Sequence, residues 1–295
     1  MRSTLLLACI PVLALACAGA SRDTGFEGDP TSNETDAGNA SSSSSSSSSG
    51  NVVIGTDSGT VKPAEAPAEV WGHSGTALYR LDPVTKGVTV VGDFKNCKGV
   101  VDIALNEASE LFAVTSQALY SVDKTTAACT LIHDGTYPNS LSFVPKGTLD
   151  PTNEVLVGYN AGDYVRIDPA TGSVTKIGEL GGGLRSSGDI VSVKGGPTYL
   201  TVTGTSCTKE DCLVEVDPKT GKLIKNLGGL NRQDVFGLAF WGGNVYGFDN
   251  TGKLFEVKLG GSKLTVTDIA IAQKPSDLAF WGAGSATTAP LSETK

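Results

Sequence analysis

From residue 68 onward the chain reads as a succession of short runs in which apolar and polar residues alternate, separated by Gly, Pro, Asp and Thr. Alternation with a period of two places one face of each run in a core, which is the signature of β-strands. One unit recurs. An apolar strand ends in Asp, a Pro/Thr/Gly turn follows, and a Val/Thr/Ile strand leaves. It reads LYRLDPVTKGVTVVG from Leu78, LYSVDKTTAACTLI from Leu119, YVRIDPATGSVTKIG from Tyr164, LVEVDPKTGKLIKNLG from Leu213 and, degraded, LFEVKLGGSKLTVTDI from Leu254. The aligned residues Asp82, Asp123, Asp168, Asp217 and Lys258 are 41, 45, 49 and 41 residues apart. That period suits a four-stranded propeller blade of about 40 to 50 residues.

Two further strand classes precede each hairpin. The nearer comprises EVWGHS from Glu69, ELFAVT from Glu110, EVLVGY from Glu154, TYLTVT from Thr198 and NVYGFD from Asn244. The farther comprises VDIAL from Val101, SLSFV from Ser140, DIVSV from Asp189, GLAFW from Gly237 and DLAFW from Asp277. Every class has five members, so the fold class is all-β, a five-bladed β-propeller. The order of classes predicts how it closes: the lone first strand at 277–281 completes the blade begun at 70–91, and pairing of the two ends leaves no long free edge. A six-bladed ring would need another blade, and no unassigned stretch is long enough for one. The recurring Asp-Pro-x-Thr-Gly string reads as a turn: Asp accepts N–H groups further on, Pro presets φ, and Gly takes the left-handed conformation.

In its blade pattern the region 68–282 resembles the bacterial repeat propellers of the quinoprotein-like, NHL and SMP-30/gluconolactonase-like families. The resemblance implies a fold rather than an activity. The chain departs from the active members, with neither a quinone-cofactor signature nor the carboxylate-and-Asn set of metal-dependent lactone hydrolysis. It also lacks the Gly-His and Trp-Asp marks of WD40 blades. No catalytic residue is carried over.

The N-terminus alters the picture. Arg2 precedes an apolar run at 5–16, interrupted by Pro11, that is too short to span a bilayer comfortably, since spanning takes about 20 residues. It ends in Ala14-Leu15-Ala16-Cys17, which resembles the bacterial lipobox, although Ala14 stands where Leu is preferred. This reading makes 1–16 a lipoprotein signal peptide and Cys17 the lipidated residue, palmitate included. It puts the protein in a bacterial cell envelope, on the outer membrane by the absence of Asp after the cysteine. The rival reading cuts after Ala18-Gly19-Ala20 and releases a soluble, secreted or periplasmic protein. Residues 17–67 are rich in Ser, Thr, Asn, Asp and Gly, with nine consecutive serines at 41–49. A segment this poor in apolar surface cannot repay its ordering entropy, so it reads as a disordered tether with an r.m.s. span on the order of 40 Å. Residues 68–283 then form the propeller and 284–295 a flexible tail.

A net charge of −8 with no Lys/Arg cluster excludes a nucleic-acid partner and electrostatic adhesion to anionic lipid, so the membrane is reached through a lipid anchor only. Cys97, Cys129, Cys207 and Cys212 are an even set in an exported domain and read as two disulfides. Cys207–Cys212 would close a hairpin, and Cys97–Cys129 would tie neighbouring blades. Zinc fits poorly, with Cys-x4-Cys and no nearby His.

Candidate chemistry is sparse. No Gly-x-Ser-x-Gly elbow is present, and GELGGGL at 178 lacks the Lys-Ser/Thr ending of a phosphate loop. His73 and His133 fall in different strand classes and read as ordinary positions. One constellation stands out. Asp102, Asp189 and Asp277 occupy equivalent places in three of the five innermost strands, where they would ring the channel mouth and hold a hard cation such as Ca2+. The plainer alternative gives each Asp a backbone-capping duty in its own blade. No other cofactor is implied. The function that follows is a binding or scaffold module for a protein or glycan partner, with exposed loop aromatics such as Tyr137 as contacts. The alternative is a hydrolase or lyase using a cation at the channel mouth.

Overall fold

In the computed structural model of the protein, residues 69–260, 263–272 and 274–293 are described. The signal region, Cys17 and the tether lie outside them. Twenty strands form five four-stranded antiparallel sheets. From centre to rim, blade 1 is Gly282–Gly284, Val70–His73, Ala77–Leu81 and Val88–Asp93. Blade 2 is Asp102–Leu105, Leu111–Val114, Ala118–Val122 and Cys129–Asp134; blade 3 is Ser142–Val144, Val155–Asn160, Asp163–Ile167 and Val174–Glu179. Blade 4 is Leu184–Ser192, Thr198–Gly204, Cys207–Val216 and Leu223–Gly229; blade 5 is Val235–Trp241, Asn244–Asp249, Leu254–Lys258 and Thr265–Ile269. Each innermost strand touches the next, and Gly282–Gly284 touches both Val235–Trp241 and Asp102–Leu105, so the ring closes.

Closure joins the chain's two ends as the strand order requires, but with a different segment. The strand pairing with Val70–His73 is Gly282–Gly284, in the register Trp71 to Gly284, Gly72 to Ala283 and His73 to Gly282. The stretch expected at 277–281 is a turn and coil. Its buried alternation, Leu278 and Phe280, packs between blades instead: the Phe280 ring meets Tyr79 of blade 1 and Phe248 of blade 5 edge to face, with centroids 5.5 and 5.1 Å away. Apolar alternation therefore marked a wedge between two sheets and not a strand within one.

The four intact hairpin turns are built alike. Lys86, Ala127, Gly172 and Gly221 each donate their N–H to the carbonyl of the joint Asp four residues earlier, at 2.7–2.8 Å. The Asp side chain accepts from the following turn, as in Asp82 Oδ1 from Val84 and Thr85 and Asp168 Oδ1 from Ala170. These bonds hold Asp82, Asp123 and Asp168 below the usual carboxylate range. The residue that closes the turn has positive φ in all four blades, supplied by Gly in two and by Lys86 (61°) and Ala127 (54°) in the others.

Both disulfides are present, with Cα atoms 5.8 Å apart in each: Cys97–Cys129 ties the passage out of blade 1 to the outer strand of blade 2, and Cys207–Cys212 closes its hairpin. Such bonds belong to an oxidising, extracellular or periplasmic setting. Among the described residues no helix is long and apolar enough to cross a membrane.

The tail from residue 284 differs from the flexible end expected. Ser285, Ala286, Thr287 and Ala289 are buried. Ala286 bridges Leu105 of blade 2, the Thr287 hydroxyl donates to Glu154 of blade 3, the Thr287 carbonyl accepts from Lys194 of blade 4, and the Pro290 carbonyl accepts from Gly242 of blade 5. Once the chain has entered the centre as blade 1's innermost strand, it can leave only across the far end of the ring. There it forms a strap over four blades.

Candidate functional site

Register defines the equivalent central positions. Asp102 lies opposite Val114, Gly237 opposite Phe248 and Gly282 opposite His73. Ser140 bonds the main chain of Tyr159, and Asp189 takes its place against Thr201 through an N–H to hydroxyl bond. The ring is thus Asp102, Ser140, Asp189, Gly237 and Gly282. Asp277 is absent from it, sitting on an exposed turn. Of the three carboxylates expected to converge, two do.

Asp102 and Asp189 are fully buried and face each other. Asp189 Oδ1 accepts from its own blade's Ile190 N–H (2.6 Å) and Oδ2 from Leu238 N–H of blade 5 (2.8 Å), while Asp102 Oδ1 accepts from Ile103 N–H (2.9 Å). The capping duty is therefore real, and at Asp189 it also clasps two blades. Burial raises both carboxyls well above the usual range, and the charge of Asp189 adds to the rise at Asp102. The other oxygen of Asp102, like His73 Nε2, makes no hydrogen bond among the described residues.

His73 was not singled out by sequence beyond its strand, yet blade 1's register brings it beside this pair. It is fully buried, its Nδ1 is 2.8 Å from the Ser74 carbonyl, and burial lowers its pKa to about 4, so the ring is neutral. A Cβ at Gly282 would collide with both Asp102 Oδ1 and His73 Nε2; only glycine lets the two groups stand this close to the innermost strand. Among the described residues no group of three or more His, Cys, Asp or Glu is placed to hold a metal ion. With its members fully buried, this cluster touches no solute and organises the ring from beneath.

One residue before each of these ring positions the chain borders a cavity. Val101, Asn139, Gly188, Phe236 and Trp281, one from each blade, line a cavity of about 290 Å³ that is the open mouth of the channel. Trp281 is 42% exposed, the only large aromatic among the exposed hydrophobics of the described residues. Tyr137, the aromatic expected to be presented, is buried and donates its hydroxyl to the Gly172 carbonyl. His133 serves the same turn, with Nε2 2.9 Å from the Ala170 carbonyl. The mouth escaped sequence reading because its five residues share no type; only their place before the ring positions relates them.

No protein-family model matches the chain, and no curated protein matches it. Among solved structures it is similar to a chain of a nidogen/laminin complex, at 13% identity over 73% of this chain and 97% of that one with a TM-score of 0.45. It is also similar to a symmetrical protein of de novo evolutionary emergence, at 17% identity over 76% and 99% with a TM-score of 0.48. A third is a protein of unknown function from Bacteroides caccae, at 14% identity over 73% and 77% with a TM-score of 0.40.

Proposed function

We propose that this protein is an exported, lipid-anchored binding module that engages its partner, a protein or glycan, at the open mouth of its propeller channel. The observation that carries the reading is the one-ended channel. Its far end is crossed by the strap of residues 285–290, and its near end presents a cavity rimmed by Trp281, Phe236, Val101 and Asn139. A concave apolar site with few polar groups, on a rigid frame, is the usual form of a binding site. The buried state of Asp102, Asp189 and His73 favours binding over hydrolysis, since none of them reaches the cavity's contents.

Anchoring is supported by the lipobox-like 14–17 and by the Ser-, Thr-, Asn- and Gly-rich composition of the segment that follows it. Replacing Cys17→Ala is expected to abolish incorporation of labelled palmitate; retained label would exclude Cys17 as the lipidated residue. The binding face is tested by installing a photo-reactive benzophenone side chain at position 139, in the mouth, or at position 84, an exposed hairpin turn of blade 1. In cells, crosslinks to one discrete partner are expected from 139 alone. Equal capture from both, or capture from 84 only, would remove the mouth as the binding face.

A further inference from the structure

Trp281 belongs to two concavities. Besides the mouth it borders a groove of about 550 Å³ that runs outward over blade 1, between the loop Ser74-Gly75-Thr76 and the segment carrying Pro275, Asp277 and Leu278, with Tyr79, Asp93 and Gly99 completing the walls. A Cβ at Gly75 would sit 3.2 Å from the six-membered ring of Trp281, so the indole rests on glycine backbone on one side and is left 42% exposed. The groove contains two carboxylates, Asp93 and Asp277, and no Lys or Arg lines it. Neither carboxylate has an ion-pair partner within 4 Å or accepts a side-chain hydrogen bond among the described residues. They share one neighbourhood, for both help to raise the Tyr79 hydroxyl, whose shift is due first to burial. The nearest basic side chain of that segment, Lys274, is turned away and bonds the Thr251 carbonyl at 2.9 Å.

An indole face beside uncompensated carboxylates in a groove is the chemistry of cation recognition. The ring quadrupole attracts a cation, Trp most strongly, and the carboxylates add charge-assisted hydrogen bonds. We infer that this groove seats a Lys or Arg side chain of a basic peptide segment in the partner, with the cation between Trp281, Asp93 and Asp277 and the neighbouring residues of that segment in the channel mouth. This inference rests on the mouth as the binding face and specifies the partner as a protein with a basic contact segment.

The test uses the full chain and two capped hexapeptides, Gly-Arg-Gly-Arg-Gly-Arg and the same sequence with Gln for Arg, titrated against tryptophan fluorescence. The Arg peptide is expected to bind and the Gln peptide not to. Asp93→Asn with Asp277→Asn should weaken the Arg peptide by roughly tenfold and flatten its salt dependence. A control pair of equal charge change elsewhere, Glu215→Gln with Asp234→Asn, should leave affinity within about twofold. Trp281→Phe should retain part of the affinity, and Trp281→Ala should lose it together with the fluorescence response. Equal binding of both peptides, no binding of the Arg peptide, equal loss in the control pair, or tighter binding of a neutral oligosaccharide such as maltohexaose would overturn the inference. If position 139 still crosslinks a partner while the carboxylate pair proves indifferent, the mouth stands and only its cation selectivity falls.

Discussion

The rim and the centre of the disc are built on opposite principles. At the rim, four blades repeat one turn, the same carbonyl accepting the same N–H at 2.7–2.8 Å, with the closing residue free to be Gly, Lys or Ala. At the centre, five equivalent positions hold Asp, Ser, Asp, Gly and Gly, so no one residue type serves the whole ring. A turn faces water and needs only local bonds, so one solution serves every blade. The centre is where five strands meet without solvent, and each residue must fit its particular neighbours. The repeat is therefore strongest where the residues are least specific, and it breaks where the molecule becomes individual.

If that contrast is right, a single methyl should matter most at the centre. Gly282→Ala drives a carbon into Asp102 and His73 and is expected to cost about 3 kcal/mol or prevent folding, as measured by urea unfolding. Tolerance of alanine there would refute the close approach on which the ring rests.

Next in size are the two aspartates, which respond differently. Asp189 uses both oxygens on N–H groups, so Asp189→Asn turns one acceptor into a donor facing a donor and should cost about 2 kcal/mol. Asp102 lends one oxygen to Ile103 and the other makes no hydrogen bond among the described residues, so Asp102→Asn keeps the acceptor and removes a titrating carboxyl. Its effect should depend on pH. A buried carboxyl with raised pKa stabilises the fold below the free value of 3.8 and loses that contribution as pH rises through its folded value. Asp102→Asn removes this loss, so its stability relative to wild type should climb as pH rises. His73 acts in the opposite sense. Its pKa falls from 6.5 to about 4, so protonating it on the way down from pH 6.5 to 4 should withdraw about 3 kcal/mol. Wild-type stability followed by urea melts across pH 4 to 9 should therefore decline at both ends, and Asp102→Asn should decline less steeply at the alkaline one, where only Asp189 remains to lose its contribution. A flat profile in both proteins would break the assignment.

The smallest effect belongs to the rim. Asp168→Asn keeps the oxygen that accepts from Ala170, so Tm should stay within about 2 °C of wild type. A larger drop would show that the repeated turns carry more than local order.

The turns, the blade count and the cysteine pairs were legible in the sequence because each rests on spacing: a strand period of two, a blade period near 45 residues, and cysteines placed on adjoining elements. Asp102 and Asp189 were legible too, since both fall in an innermost strand. Asp277 misled, because DLAFWGA at the end of the domain looks like GLAFWGG in blade 5 while its buried Leu278 and Phe280 fill a gap between sheets. Apolar alternation records which residues are buried and says nothing of what buries them. The same limit hid the burial of Tyr137 and the approach of His73 to Asp102.

By itself, then, the sequence determined the repeat, the all-β architecture and the number of blades, since those follow from local periodicity and turn chemistry. Tertiary structure alone decided which three residues close the ring, that the tail straps its far end, and that Val101, Asn139, Gly188, Phe236 and Trp281 converge on one mouth. Those outcomes depend on contacts between residues up to about two hundred positions apart, and no local pattern encodes which of several similar segments wins the last place in a closed ring.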